Sequence, residues 1–383
     1  MELERQSGRR RVFAFVGTVV IGTAAVLAVM ELVFCAAFSL ERRLHPDALR
    51  PERSPAYAGA PWVPELVKEQ AARLAKPYRY VPFRISEVEE WHGKYFNNDA
   101  HLTGVWRRTP IAATGCKGSP TKSVWIFGGS TVYGTGVPDW GTIASYLVAD
   151  MNRDRQACVE VTNFGDESYV STQELLLLME QLKRGARPDV VIFYDGFNDA
   201  HVGMTDGDPW SAHYGQETIR ERAEGTWRGR LDFLDRRCTA RVLALAWRLV
   251  KGRGEAASDQ AMWAKAAVVL DNYEANEQMA RALGEAYHFK FYGFWQPMLF
   301  YGQKPLDRFE RQVKDFDAQS KARFDAGPVV VTYEEAERRA AAGRIVSLAG
   351  VFDGVAEPVY IDEAHLAPRG NELVAEEIAK RME

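Results

Sequence analysis

The chain has 383 residues, 46% apolar and 26% charged, with a formal net charge of −4. Those proportions belong to a folded globular protein of one large or two modest domains and exclude an intrinsically disordered chain. Four cysteines are too few for a disulfide-stapled scaffold, and a slightly acidic balance leaves no global basic field to hold nucleic acid by its phosphates.

Val12 to Met30 carries no charge, and after Glu31 the apolar character resumes from Leu32 to Leu40. At 1.5 Å per residue the first stretch alone covers about 28 Å, close to the roughly 30 Å of bilayer hydrocarbon. Arg9, Arg10 and Arg11 precede it, as in a secretory signal. A signal core is shorter, however, and Ala36-Ala37-Phe38 is a poor cleavage site. The run therefore reads as an uncleaved transmembrane anchor over residues 12–40, behind a short cytoplasmic tail, residues 1–11. Orientation is nearly a tie, because Arg5 and Arg9 to Arg11 on one side face Arg42, Arg43, Arg50 and Arg53 on the other. Glu41, Asp47 and Glu52 dilute the second cluster, so the expected arrangement has the N-terminus inside and the large domain outside. Glu31 is expected near the outer interface.

Residues 41–118 are rich in Pro, Arg and aromatics without clean periodicity and read as a juxtamembrane stalk and irregular lead-in. From there, residues 119–383, a strand–helix rhythm begins. Ser123–Phe127 is an apolar strand ending in Gly128-Gly129, and Thr142–Met151 has helical spacing. Val159–Phe164 is a second strand, followed by a Leu-rich helix at 172–184. Asp189–Tyr194 is the third, an unbroken apolar run suited to a sheet covered on both faces. A helical insertion, about 203–287, interrupts the rhythm. It resumes with a strand at Phe289–Trp295, helices near 306–324 and 333–342, a strand at Ile345–Leu348 and a last helix from Pro368 to Met382. Such alternation predicts an α/β fold with a parallel sheet between helical layers.

No C-x-x-C pair and no H-x-x-x-H spacing occurs, so no metal site is expected. Cys35 lies in the apolar run. Cys116 and Cys158 each precede a predicted strand, and both a bridge between them and free buried thiols fit that spacing.

In a doubly wound sheet the ligand sits at the carboxyl ends of the strands. Those ends carry Gly128-Gly129-Ser130-Thr131, Asn163-Phe164-Gly165 and Gly196-Phe197-Asn198-Asp199, while Asp362-Glu363-Ala364-His365 precedes the last helix. Taken singly, each is an ordinary turn or cap. Neither G-x-G-x-x-G nor G-K-[ST] is present to argue for a nucleotide. Together they contain what ester hydrolysis needs: Ser130 as nucleophile, His365 as base, Asp362 to orient the imidazole, and donors for an oxyanion. The donors expected are the Ser130 N–H, the Gly165 N–H and the Asn198 side-chain amide. A glycine N–H can approach a substrate closely because no Cβ intervenes.

This set, in this order, resembles the SGNH hydrolase superfamily, the GDSL-type esterases and lipases, over about residues 122–381. The usual first motif is G-D-S, and Gly129 stands here where Asp is common; such GGS starts resemble bacterial membrane-anchored or exported branches. Gly165 matches the family glycine, residues 196–199 match G-x-N-D, and residues 362–365 match D-x-x-H. The resemblance implies a three-layer α/β/α flavodoxin-like sandwich with about five parallel strands, and neither metal nor organic cofactor. It also implies an acylated glycan or lipid as substrate without choosing between them. Three functions are weighed: a membrane-anchored serine esterase acting on acyl esters, with acetyl first, of an envelope glycan or lipid; an O-acyltransferase acting on a cell-envelope or exported polysaccharide through the same triad; and a binding module that keeps only the fold. Selectivity is expected from the insertion, where Trp210, Tyr214 and Trp227 are either sugar-stacking or core residues, and Gln296 stands at a strand end facing the same edge.

Overall fold

The computed structural model describes residues 18–23, 25–37, 39–40, 50–76, 78–110, 122–153, 158–205, 208–225, 237–239, 242, 258–320 and 326–382. The tail over residues 1–11, Cys116, Trp227 and Trp247 lie outside them. The chain divides into two units, one of residues 48–216 and 257–383, the other of residues 1–47 and 217–256.

The larger unit is built on a seven-stranded sheet. Its strands are β3 (Trp91–His92), β4 (Asn97–His101), β5 (Gly104–Arg107), β6 (Lys122–Gly128), β7 (Val159–Asn163), β8 (Val190–Asp195) and β9 (Lys290–Trp295). Two further strands, β1 (Arg79–Val81) and β2 (Ile85–Glu87), form a separate hairpin. The order across the sheet is β3-β4-β5-β7-β6-β8-β9. Strands β7, β6, β8 and β9 run parallel, and β3, β4 and β5 extend them antiparallel. The parallel part has the flavodoxin-like order. Every residue of β8 is buried, as its apolar run predicts for a strand with neighbours on both sides and helices over both faces.

Two expectations are corrected. The sheet is mixed and not purely parallel, because the lead-in supplies three strands that carry no apolar run. Two of their buried amides find distant partners: Asn97 Nδ2 donates to Asp139 Oδ2 (2.6 Å) and Asn98 Nδ2 to Tyr133 Oη (2.8 Å). The strand expected at Ile345–Leu348 is reduced to one parallel bridge between Ser347 and Trp295. Trp295 N–H donates to Val346 O and Leu348 N–H to Trp295 O before the chain turns away.

The helices mostly lie where the spacing predicts them. Ser171–Lys183 lacks a side-chain cap of its own, and Asp199 substitutes by accepting from Ser171 N–H and Oγ–H. A carboxylate there also complements the positive end of the helix. Asp259–Tyr287 is capped by Ser258, whose Oγ accepts from Ala261 N–H, and ends at His288 with φ 66°. It buries Leu270 and Tyr273 within the main core and packs on Ser171–Lys183, Phe197–Thr205 and Ala326–Ala341. Much of the expected insertion is thus part of the core unit, and only residues 217–256 belong to the other.

In the smaller unit, Thr18–Ala37 is a helix long and apolar enough to cross a membrane. Cys35, near its end, forms a disulfide with Cys238. Glu31 accepts from Cys238 N–H (2.8 Å), Thr239 N–H (2.9 Å) and Thr239 Oγ–H (2.6 Å), capping that turn. Cys158, in the larger unit, is also disulfide-bonded.

Candidate active site

Ser130 opens a single helical turn, Ser130–Tyr133, directly after β6. Gly129 precedes it with φ −77°, an ordinary backbone conformation, so its glycine identity is a matter of space. A Cβ at Gly129 would stand 2.2 Å from Asn198 Nδ2 and 3.1 Å from Tyr169 O. The room an Asp side chain would need at this position is filled by the Asn198 amide.

The loop that carries Asp362 and His365 is pinned at its base. Tyr360 and Leu366 bridge antiparallel, and Ile361 N–H donates to His365 O. Glu310, fully buried, accepts from Val359 N–H (3.0 Å) and Tyr360 N–H (3.2 Å) and pairs with Lys304 Nζ (2.8 Å). Ser54 Oγ donates to Tyr360 O from the lead-in. Within the loop, Asp362 Oδ1 accepts from Ala364 N–H (3.0 Å) and His365 N–H (2.7 Å).

These constraints bring three expected residues into line. His365 Nδ1 lies 2.8 Å from Asp362 Oδ2, and His365 Nε2 lies 2.8 Å from Ser130 Oγ. The acid and imidazole side chains are 19% and 20% exposed, shielded enough for their pairing to be felt electrostatically. Burial opposes charge on His365, but the Asp362 carboxylate outweighs it and holds the imidazole above its ordinary value. Burial likewise works against the Asp362 carboxylate, and His365 with the backbone N–H groups overcomes it, bringing that carboxyl down to about 2.

Beside Ser130 is a cavity of about 220 Å³. Ser130, Ser168, Asn198 and His365 line its reactive side, while Thr131, Tyr214, Gln296 and Glu363 line the rest. Thr131 Oγ donates to Gln296 Oε1 (3.1 Å), which fixes the Gln296 amide at the wall. Asn198 Nδ2 donates to Tyr169 O (2.8 Å), and its Oδ1 accepts from Tyr214 Oη (3.1 Å). One hydrogen on Nδ2 is left for a ligand.

Gly165, the expected third donor, is placed elsewhere. It is buried, its N–H donates to Asn163 Oδ1 (2.9 Å), and its Cα packs against the backbone of Val132 and Tyr133, where a Cβ would come within 2.3 Å of Tyr133 N. The residue of this loop that reaches the cavity is Ser168, with φ 65°, a left-handed conformation that a non-glycine residue seldom adopts. Motif reasoning missed it, because the left-handed position is held by serine and the visible glycine stands three residues earlier. Of the three aromatics expected to bear on selectivity, Tyr214 lines the cavity and Trp210 is half exposed away from it.

No protein-family model matches the sequence, and no curated protein matches it. Among solved structures the chain is similar to a lipase/acylhydrolase from Enterococcus faecalis, with 15% identity over 68% of this chain and 95% of that one and a TM-score of 0.37. It is also similar to a lipolytic protein of the G-D-S-L family from Veillonella parvula (13%, 68% and 97%, TM-score 0.36). An acetylxylan esterase from Geobacillus stearothermophilus gives 14% identity, 69% and 94% coverage and a TM-score of 0.33.

Proposed function

We propose that the protein is a membrane-anchored serine esterase of the SGNH type that removes acetyl or similarly small acyl groups from an envelope glycan or lipid. The observation that carries this reading is His365 bridging Asp362 and Ser130 at 2.8 Å on each side, next to a small cavity with donors on its wall. Ser130 Oγ attacks the acyl carbonyl carbon while its proton passes to His365 Nε2. The carbonyl electron pair becomes an oxyanion, which accepts from the Ser130 N–H, the Ser168 N–H and the remaining Asn198 Nδ2 hydrogen. Collapse expels the alcohol oxygen, which takes the proton from Nε2 and leaves an acyl-Ser130 ester. Water then adds with His365 as base, the carboxylic acid departs, and Ser130 regains its proton. Asp362 holds Nδ1–H in the tautomer this sequence requires.

A cavity of about 220 Å³ is smaller than the roughly 300–1,000 Å³ of sites that enclose larger organic ligands, which favours a short acyl chain with the alcohol portion outside. The Cys35–Cys238 disulfide and the disulfide-bonded Cys158 favour an oxidising compartment, hence an extracytoplasmic catalytic domain. Because Cys35 stands near the C-terminal end of the apolar helix, that end belongs on the outer side and the N-terminus inside. A bond to Cys238 also requires residue 35 in the mature chain, in keeping with an uncleaved anchor.

The test uses full-length protein in detergent with p-nitrophenyl acetate and butyrate, wild type beside Ser130→Ala, with and without oligosaccharide. Expected is acetate release that exceeds butyrate release, ignores the oligosaccharide and falls by several orders of magnitude in Ser130→Ala. Unchanged turnover in that variant would remove the triad. Release accelerated by oligosaccharide, with acylated sugar as product, would replace hydrolysis by acyl transfer.

A further inference from the structure

We infer that Tyr214 is a positioning residue for oxyanion stabilisation: its hydroxyl selects the orientation of the Asn198 amide that points a donor, not an acceptor, into the cavity. The inference rests on the esterase reading and deepens it.

An asparagine amide has two nearly isosteric orientations, and only one serves an oxyanion. With Nδ2 toward Tyr169 O, one N–H is bound at 2.8 Å and the second is free for the ligand. Turned over, the amide would set Oδ1 against the Tyr169 carbonyl and offer oxygen to the developing negative charge. Tyr214 Oη, 3.1 Å from Asn198 Oδ1, donates to that oxygen and so stabilises the useful orientation from the opposite side. A donor on Oδ1 also polarises the amide and strengthens its N–H groups.

The tyrosine is itself held in place. Its ring stacks on His201, with centroids 5.6 Å apart and planes at 28°, and His201 stacks in turn on Phe197. The loop before and after it is closed locally, with Asp208 Oδ1 accepting from Trp210 N–H and Gln216 Oε1 from Ala212 N–H. Tyr214→Phe removes the hydroxyl that reaches Asn198 and keeps the ring that stacks on His201.

Kinetics on an acetyl ester, together with thermal melts, test this. Tyr214→Phe should lower kcat roughly three- to tenfold, the loss of one neutral hydrogen bond, with little change in KM or melting temperature. In an Asn198→Ala background the same substitution should cost nothing further, because the group it orients is gone. Wild-type kcat in Tyr214→Phe would overturn the inference. So would an undiminished loss in the Asn198→Ala background, since that means a role independent of the amide. If instead Ser130→Ala stays active, the esterase reading itself falls, an outcome separate from either of these.

Discussion

Gly129→Ala is the most informative single substitution, because the structure states what the added methyl would strike. The new Cβ would stand 2.2 Å from Asn198 Nδ2, whereas carbon-sized atoms at rest are about 3.5–4.0 Å apart. The backbone there is ordinary, at φ −77° and ψ −151°, so alanine brings no conformational strain. The Asn198 amide must therefore retreat by more than about 1 Å, and a displacement of that size at a reacting group costs on the order of 10²-fold in rate. Loss of one oxyanion donor gives a similar figure, about 10²–10³-fold in kcat. Stability should change far less. The retreat weakens the Tyr169 and Tyr214 hydrogen bonds, about 1 kcal/mol each, while Gly→Ala recovers about 0.4–1 kcal/mol through the unfolded chain. The assay is kcat and KM on p-nitrophenyl acetate with thermal melts alongside. A folded Gly129→Ala enzyme with near-wild-type kcat would refute the placement of Asn198. A further large loss on adding Gly129→Ala to Asn198→Ala would refute the steric cause, because alanine at 198 vacates the space.

The rate on the acid side should fall with a midpoint above 6.5, since the base must be neutral and Asp362 holds His365 upward; a midpoint at or below 6.5 would contradict that pairing. Ser168→Gly should keep both fold and rate, whereas Ser168→Val, β-branched at φ 65°, should cost about 1–2 kcal/mol and lower kcat; equal kinetics in the two would remove the Ser168 N–H from the site. Glu174, fully buried, is raised to about 8 by burial, an effect that the Asp195 carboxyl opposes and the charge of Asp199 reinforces. A carboxyl raised on folding contributes stability that is whole below its unfolded value, near 4.3, and is lost as pH climbs through the folded one. Melting temperature should accordingly decline between about pH 4 and 8, and Glu174→Gln should flatten that decline; an unchanged slope would place the proton elsewhere.

What the sequence makes legible here follows the range of the interactions. Strands β6 and β8 announce themselves because helices cover both faces of the sheet there and each is an apolar run. Asp362 and His365 are legible as a pair because three residues suffice to bring them together, and the Ser130 turn is marked by the glycines before it. The antiparallel strands are silent, since Asn97 and Asn98 are buried polar residues whose partners, Asp139 and Tyr133, lie 42 and 35 residues away. Ser168 escapes because its conformation, not its identity, brings it to the cavity. The Cys35–Cys238 bond joins residues 203 apart, one of them inside an apolar run that reads simply as membrane.

The least legible part of the site is what keeps its base still. Nothing about Glu310, one acid in a largely polar helix, distinguishes it in sequence from its exposed neighbours. In the fold it is fully buried, with one carboxylate oxygen on two backbone N–H groups at the root of the catalytic loop and the other on Lys304. The lead-in adds Ser54 on the Tyr360 carbonyl of the same root, and Tyr57 Oη on Gly136 O nearby. A loop this short can align His365 between Asp362 and Ser130 only if its two ends cannot shift, and backbone groups bound to a buried ion pair resist shifting far better than loop contacts with water. The lead-in thus acts as a brace on that loop.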